Sequence, residues 1–231
     1  AAGMAATLGH QEDAARFREY AENIKAAFRT AYTDDKGITH PTQGNCALAL
    51  RCGIVDGDLR KRVTAQLIEA FRERNWNPGT GIVSSPEILG ALSDNGYCSE
   101  AYNVLLNESF PSWGYMLRSG AKAIWEHWQS QRPDLPYDAG VFVPCSKHET
   151  SGPGFDRRIS PEMNSGNHPA LGGVVDWIVR EVAGIAPVSP GFKRIRIRPR
   201  VDTRVSPVEA GYRTPHGIVR VAWETDNQRF S

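Results

Sequence analysis

The strongest constraint on this chain is where its apolar residues fall along the first hundred positions. From His10 to Tyr32 they recur at Ala14, Phe17, Ala21, Ile24, Phe28 and Ala31. Steps of three and four place them on one face of an α-helix, which turns once in about 3.6 residues. The next stretch, Thr42 to Cys52 (TQGNCALALRC), is apolar nearly all round and is closed by Gly53. A third helix is predicted from a cap at Asp56 or Asp58 to about Arg74, with Leu59, Val63, Leu67 and Ala70 inward. Ser84 or Ser85 precedes Pro86 at the start of a fourth, PEILGALSDNG, which Gly96 stops. Ser99 opens a fifth that reaches Asn107. An apolar helix among amphipathic neighbours predicts an inner ring of helices shielded by an outer one. The alternative is an α-solenoid, but no repeat of about 30–45 residues is visible in the residue types.

The pattern then changes twice. Residues 110–165 are rich in Gly, Pro, Ser and Trp and show little periodicity. Long stretches of this kind are functional or disordered, and the aromatics between Phe110 and Trp128 argue against disorder. A last helix is predicted from Asn167 to Ile185, with Leu171, Val174, Val175, Ile178, Val179 and Val182 on its apolar face. After SPGF the period becomes two. KRIRIRP alternates apolar and basic residues, and VEAGYRTPHGIVRVAWE reads as a β-hairpin. The switch from helix to strand near Ser189 predicts two units, 1–188 and 189–231.

Composition narrows the classes. A formal net charge of +1 over 231 residues gives no reason to expect nucleic acid or an anionic membrane as partner. Hydrophobic residues make up 40%, enough for a packed core. No run of about eighteen apolar residues would span a bilayer. Cys46, Cys52, Cys98 and Cys145 form neither a C-x-x-C pair nor a Cys/His cluster with zinc spacing, so they read as free thiols. AAGMAATLGHQEDAARF lacks a basic-then-apolar leader and reads like the inside of a domain. The chain is expected to be a fragment of a longer polypeptide.

Three clusters could carry chemistry. In GAKAIWEHW, Glu126 follows Trp125 and stands two residues before Trp128. It could be the ion-pair partner of Lys122 at i−4. It could bind a metal, although His127 would face elsewhere. It could also serve as an acid or base in an aromatic-walled sugar pocket, where rings meet C–H faces and carboxylates hold or activate hydroxyl groups. In MNSGNHPALGG, Asn164, Ser165, Asn167 and His168 gather at a helix start. They read either as a cap and turn or as ligand contacts. In FPSWGYMLRSGA, Trp113 and Tyr115 read as core aromatics or as pocket walls.

PSWGYMLRSGAKAIWEHW, then MNSGNHPALGGVVDWIVREVAGI, then PGFKRIRIRP closely resemble the α-L-rhamnosidases of glycoside hydrolase family 78. TQGNCALALRCGIV, GTGIVSSPEILGALSDNGY and AYNVLL extend the resemblance over nearly the whole chain. It implies a mainly α fold, the second half of an (α/α)6 toroid, followed by the first strands of a C-terminal β-sandwich. It implies that Glu126 is the general base of an inverting hydrolysis. It further implies that His168 and Asn167 contact a rhamnose whose pocket is walled by Trp113, Trp125 and Trp128. The partner so implied is a rhamnose-containing carbohydrate. The chemistry needs no cofactor, because carboxyl groups make both proton transfers, and no cluster here predicts calcium. Self-association is left open. The chain departs from the family pattern at Lys122-Ala123, Gln129-Ser130 and Pro169. The family's Gly-Trp-x-Gly-Asp motif, which carries the general acid, does not occur here. Inverting glycosidases need both carboxyl groups, about 6.5–9.5 Å apart. The competing expectations are a non-catalytic sugar-binding relative and a helical-repeat interaction protein.

Overall fold

The structure is a computed structural model that describes residues 1–128 and 165–225. Asn164, Cys145 and Gln129-Ser130 lie outside the described residues. A short helix α1 (Ala2–Thr7) precedes α2 (Gln11–Tyr32). Thr42 caps α3 (Gln43–Arg51), its side chain accepting the Asn45 N–H at 3.1 Å. The helix α4 (Gly57–Arg72) follows. Asp56 occupies the position before it but turns its carboxylate to Arg29 at 2.8 Å instead of to the helix N–H groups. The predicted fourth helix divides into a 3₁₀ turn, Ser85–Glu87, and α5 (Ile88–Ser93); α6 (Cys98–Leu105) comes next.

α3 packs against α4 and α5, and α5 against α6, so consecutive helices form hairpins around a shared core. That core holds Leu50, Val63, Leu67, Phe71, Ile88, Leu89, Leu92 and Tyr102. Of the inward residues predicted on α4, Val63 and Leu67 are buried and Leu59 and Ala70 half-buried, while Thr64, Ile68 and Phe71 complete the buried face; α3, read as apolar nearly all round, buries five of its nine residues. The prediction for α2 fails in a specific way. Only Ala14 of its apolar stripe is buried, and Ile24 is 66% exposed. No other described helix besides α1 packs substantially on α2, so the face exists without its cover.

Helix α1, a short hairpin and a later helix escaped the sequence reading. Thr33–Asp34 (β1) pairs with Gly37–Ile38 (β2) in a two-residue-strand hairpin. Trp113–Arg118 forms α7, capped by the Ser112 hydroxyl accepting the Tyr115 N–H at 2.9 Å.

The last helix is shorter than predicted. A 3₁₀ turn (Pro169–Leu171) leads into α8 (Gly173–Trp177), which continues as a π-type turn through Ile178–Val182. Gly173 sits against the 85–87 turn, where an added Cβ would lie 2.5 Å from Pro86 Cα. Gly184 ends the helix with φ +77°, a conformation L side chains avoid. Ile185–Pro187 is therefore a strand, β3, antiparallel to β4 (Ile195–Ile197). The helix-to-strand switch thus falls at Ile185, ahead of the predicted point near Ser189. The predicted hairpin is present as β5 (Val208–Thr214) and β6 (Gly217–Trp223).

The strands are tied back to the helices. Tyr102 Oη donates to Arg200 O at 2.6 Å, and Trp223 Nε1 donates to Val182 O at 2.9 Å. Arg200 also pairs with Glu181, and Arg204 Nη2 donates to Ser99 O in α6 at 3.2 Å. Among the described residues no helix is long and apolar enough to cross a membrane.

Candidate active site

The Trp125–Glu126 segment is not helical. Helix α7 closes in a Schellman motif: Gly120, with φ +81°, donates its N–H to Leu117 O, and Ala121 donates to Met116 O, both at 3.0 Å. Beyond it residues 121–128 run as bends and a turn. The expected i−4 partnership of Lys122 with Glu126 therefore has no helix to form on, and Lys122 is exposed.

What holds Glu126 is the second cluster, some forty residues on. Glu126 N–H donates to Ser165 O at 3.0 Å, and His168 N–H donates to Ile124 O at 2.8 Å. Ser165 N–H in turn donates to Glu126 Oε2 at 2.8 Å. The two motifs are laced together through their backbones, and one carboxylate oxygen is fixed by a main-chain donor. The other, Oε1, lies 3.7 Å from His127 Nε2. His127 was expected to face elsewhere, and the turn at 126–128 instead brings it alongside. The Glu126 side chain is 24% exposed, which keeps a carboxylate within reach of water while holding it in one orientation.

The aromatic residues form a floor. Trp113 Nε1 donates to Leu171 O at 3.0 Å, and Trp128 Nε1 to Thr80 O at 2.7 Å. Their rings meet edge to face, with centroids 5.1 Å apart and planes at 73°. Trp125, next to Glu126 in the chain, is 1% exposed and lies in the core. Tyr115, the other aromatic of that cluster, is half-buried against Phe110. His168 is the N-cap of the Pro169–Leu171 turn, and its Nδ1 accepts the Ala170 N–H at 3.0 Å. In the neutral ring that acceptor role puts the proton on Nε2, as a donor. Asn167 is exposed, and its backbone closes a turn with the Ser165 hydroxyl. Glu126, His168 and the aromatic floor thus gather in one region, although they come from separate parts of the chain.

Reading the sequence missed the group that orients Glu126. Ser165 was legible as a turn residue, but a backbone N–H carries no letter. It also missed Gln43, Asn77 and Thr80, buried polar residues beneath Trp128. Among the described residues no group of three His, Cys, Asp or Glu could hold a metal ion. A cavity of about 270 Å³ lies elsewhere, between α8 and the strands, lined by Asp176, Arg180, Phe192 and Tyr212 among others. It includes none of the Glu126 cluster, which makes the hydrogen-bonded carboxylate the better guide to chemistry.

Comparison with known proteins follows the same lines. Residues 1–182 match the model of the bacterial alpha-L-rhamnosidase 6 hairpin glycosidase domain. The chain belongs to this family. Residues 184–231 match the bacterial alpha-L-rhamnosidase C-terminal domain. An alpha-L-rhamnosidase of Streptomyces avermitilis is 35% identical over 231 residues, covering 100% of this chain and 20% of the relative. One from Formosa agariphila is 30% identical over 230 residues, covering 98% and 22%. This rhamnosidase-family chain thus spans about a fifth of the length of the curated relatives it matches. The crystal structure of the Streptomyces avermitilis alpha-L-rhamnosidase complexed with L-rhamnose superposes with a TM-score of 0.83 at 33% identity, over 98% of this chain and 20% of that one. The Aspergillus terreus alpha-L-rhamnosidase, at 22% identity, shares the fold with a TM-score of 0.82 over 96% of this chain and 24% of its own. The fold is a six-hairpin glycosidase arrangement of helices followed by a C-terminal domain that begins in short strands.

Proposed function

We propose that this chain supplies the base-bearing side of the active site of an inverting α-L-rhamnosidase. The observation that carries the reading is the Glu126 carboxylate, held by the Ser165 N–H at 2.8 Å in a loop that is bonded to His168 through Ile124 O and flanked by the buried Trp125 and Trp128. With one oxygen fixed, the other is oriented to take a proton from an attacking water. That water would add to the anomeric carbon from the face opposite the leaving group, while an acid outside these 231 residues protonates the leaving oxygen. His168, its proton on Nε2, would donate to a sugar hydroxyl, and Asn167 would add an exposed polar contact. Trp113 and Trp128 would shape the apolar side of the pocket, where the methyl group of a 6-deoxy sugar is accommodated, and Trp125, buried in the core, would support that wall from behind. Nothing in this chemistry calls for a cofactor.

The test is Glu126→Gln in an active enzyme carrying these residues. Removal of a general base is expected to lower kcat about 10²–10⁴-fold with substrate binding retained. The acidic limb of the rate profile should vanish with it. Azide, which needs no deprotonation, should restore turnover and yield a β-configured glycosyl azide. Near-normal kcat with an unchanged pH profile would make Glu126 a structural residue. Rhamnose binding without turnover by the parent protein would instead identify a non-catalytic sugar-binding relative.

A further inference from the structure

Beneath the aromatic floor lies a set of buried amides and hydroxyl groups that the proposed chemistry does not use. Gln43, 4% exposed, opens α3. Its Oε1 accepts the Gly79 N–H at 2.7 Å. Its Nε2 donates to Ala70 O at 3.2 Å and to Asn77 O at 3.1 Å. One side chain thereby satisfies the end of α4 and both sides of the 77–79 turn. Asn77, itself buried, grips the opposite side. Its Nδ2 donates to Ser109 O, Ser109 Oγ and Pro111 O at 3.0, 2.9 and 3.0 Å.

The next residue in that turn, Thr80, is where the network meets the floor. Its carbonyl receives the Trp128 indole N–H, and its hydroxyl shares a 2.8 Å hydrogen bond with Ser85. Trp128 stands two residues from Glu126. On the other side, Pro111 leads directly to Ser112, the cap of α7, and to Trp113. Both rings of the edge-to-face pair therefore take their position from the same buried amides.

We infer that Gln43 is a positioning residue for the Glu126 loop, acting through the 77–80 turn and the Trp128–Thr80 hydrogen bond; the inference rests on Glu126 being the base. The choice of residue fits the role. Only a side chain with a donor and an acceptor can close this turn, and an apolar side chain of similar size leaves three buried backbone groups unpaired. A turn so released shifts the acceptor of Trp128. Misplacement of a reacting group by about 1 Å costs on the order of 100-fold in rate.

The experiment is a double-mutant cycle in an active enzyme carrying these residues. Trp128→Phe keeps a ring and removes the donor to Thr80. Gln43→Leu is expected to lower kcat about 10–100-fold, with a smaller change in KM. In the Trp128→Phe background the same substitution should cost little further kcat, because the route is already cut. Additive losses, or a lower melting temperature with unchanged kcat, would overturn the inference. If the leucine variant does not fold, Gln43→Asn, one methylene short, replaces it in the same cycle and is judged by the same outcomes. Near-ultraviolet circular dichroism supplies a readout without turnover. The coupled Trp113–Trp128 signal should weaken in each Gln43 variant, and a signal identical to the parent's would count against the positioning role. A parent that hydrolyses no rhamnoside would sink the functional reading alone, leaving the dichroism arm to decide the fate of Gln43.

Discussion

Helices α2 and α3 follow one another in the chain and end in opposite circumstances. α2 is 22 residues long and buries one of them, Ala14. α3 is 9 residues long and buries Gln43, Cys46, Ala47, Ala49 and Leu50. Both carry apolar residues at helical spacing. The difference lies in what meets them: α3 is closed in by α4 and α5, whereas on α2 Ile24 of the stripe is exposed, as are Tyr20 and Tyr32 on the same helix. Periodicity identifies the face that seeks cover, but the covering surface comes from elsewhere in space. Among the described residues, a chain spanning a fifth of its relatives' length carries a packed interior around α3 beside an exposed apolar stripe on α2.

That contrast can be broken most severely from the α3 side. Phe71, fully buried on α4 and stacked near Trp76, is expected to cost about 3–5 kcal/mol when truncated to alanine. Chemical denaturation would measure it, and a loss below about 1 kcal/mol would show that the core around α3 is not tightly packed. A smaller, kinetic difference should separate two thiols. Burial pushes the Cys46 thiol up to about 12, while Cys52, at the end of α3, is exposed. A raised pKa keeps Cys46 protonated at every pH below that value, and the thiolate is the reactive form. At pH 8 a maleimide should therefore modify Cys52 at least about 100-fold faster than Cys46, with the gap closing in denaturant. Equal rates in the native protein would mean that α3 opens readily. The smallest effect belongs to α2. Ile24→Ser should change stability by less than about 0.5 kcal/mol, because the side chain is already in water. The same substitution should reduce self-association of the isolated chain, read by sedimentation, since exposed apolar stripes drive such contacts. A large loss of stability would show that α2 is covered after all.

How much of this was legible depended on the kind of force involved. Helices α2 to α4 were readable to within a residue or two, because repeated apolar spacing marks them and local caps or glycines stop them. The six residues of α7 span fewer than two turns, too few to display a period. The last helix was overextended because Ile185 continues the apolar pattern, while the positive φ of Gly184 ends the helix before it. In the site, Glu126 and His168 stood out through the motifs around them. Their meeting did not, since it is made by the main chain of Ile124, Glu126, Ser165 and His168. Lys122 was a reasonable partner only on a helix that Gly120 had already stopped.

Four of the large aromatic side chains share one habit that bears on how such a chain can change over generations. Trp113, Trp128, Trp223 and Tyr102 all direct their polar tips to main-chain carbonyls, those of Leu171, Thr80, Val182 and Arg200. A carbonyl survives any substitution at its own residue. The side chains at 80, 171, 182 and 200 can therefore drift without deleting the acceptor, provided the backbone keeps its path. The aromatic donors have no such freedom, because no other side chain combines their bulk with an N–H or O–H at that reach. Mutational tolerance across these contacts is one-sided, and the residues that anchor the molecule are the ones its descendants can least afford to exchange.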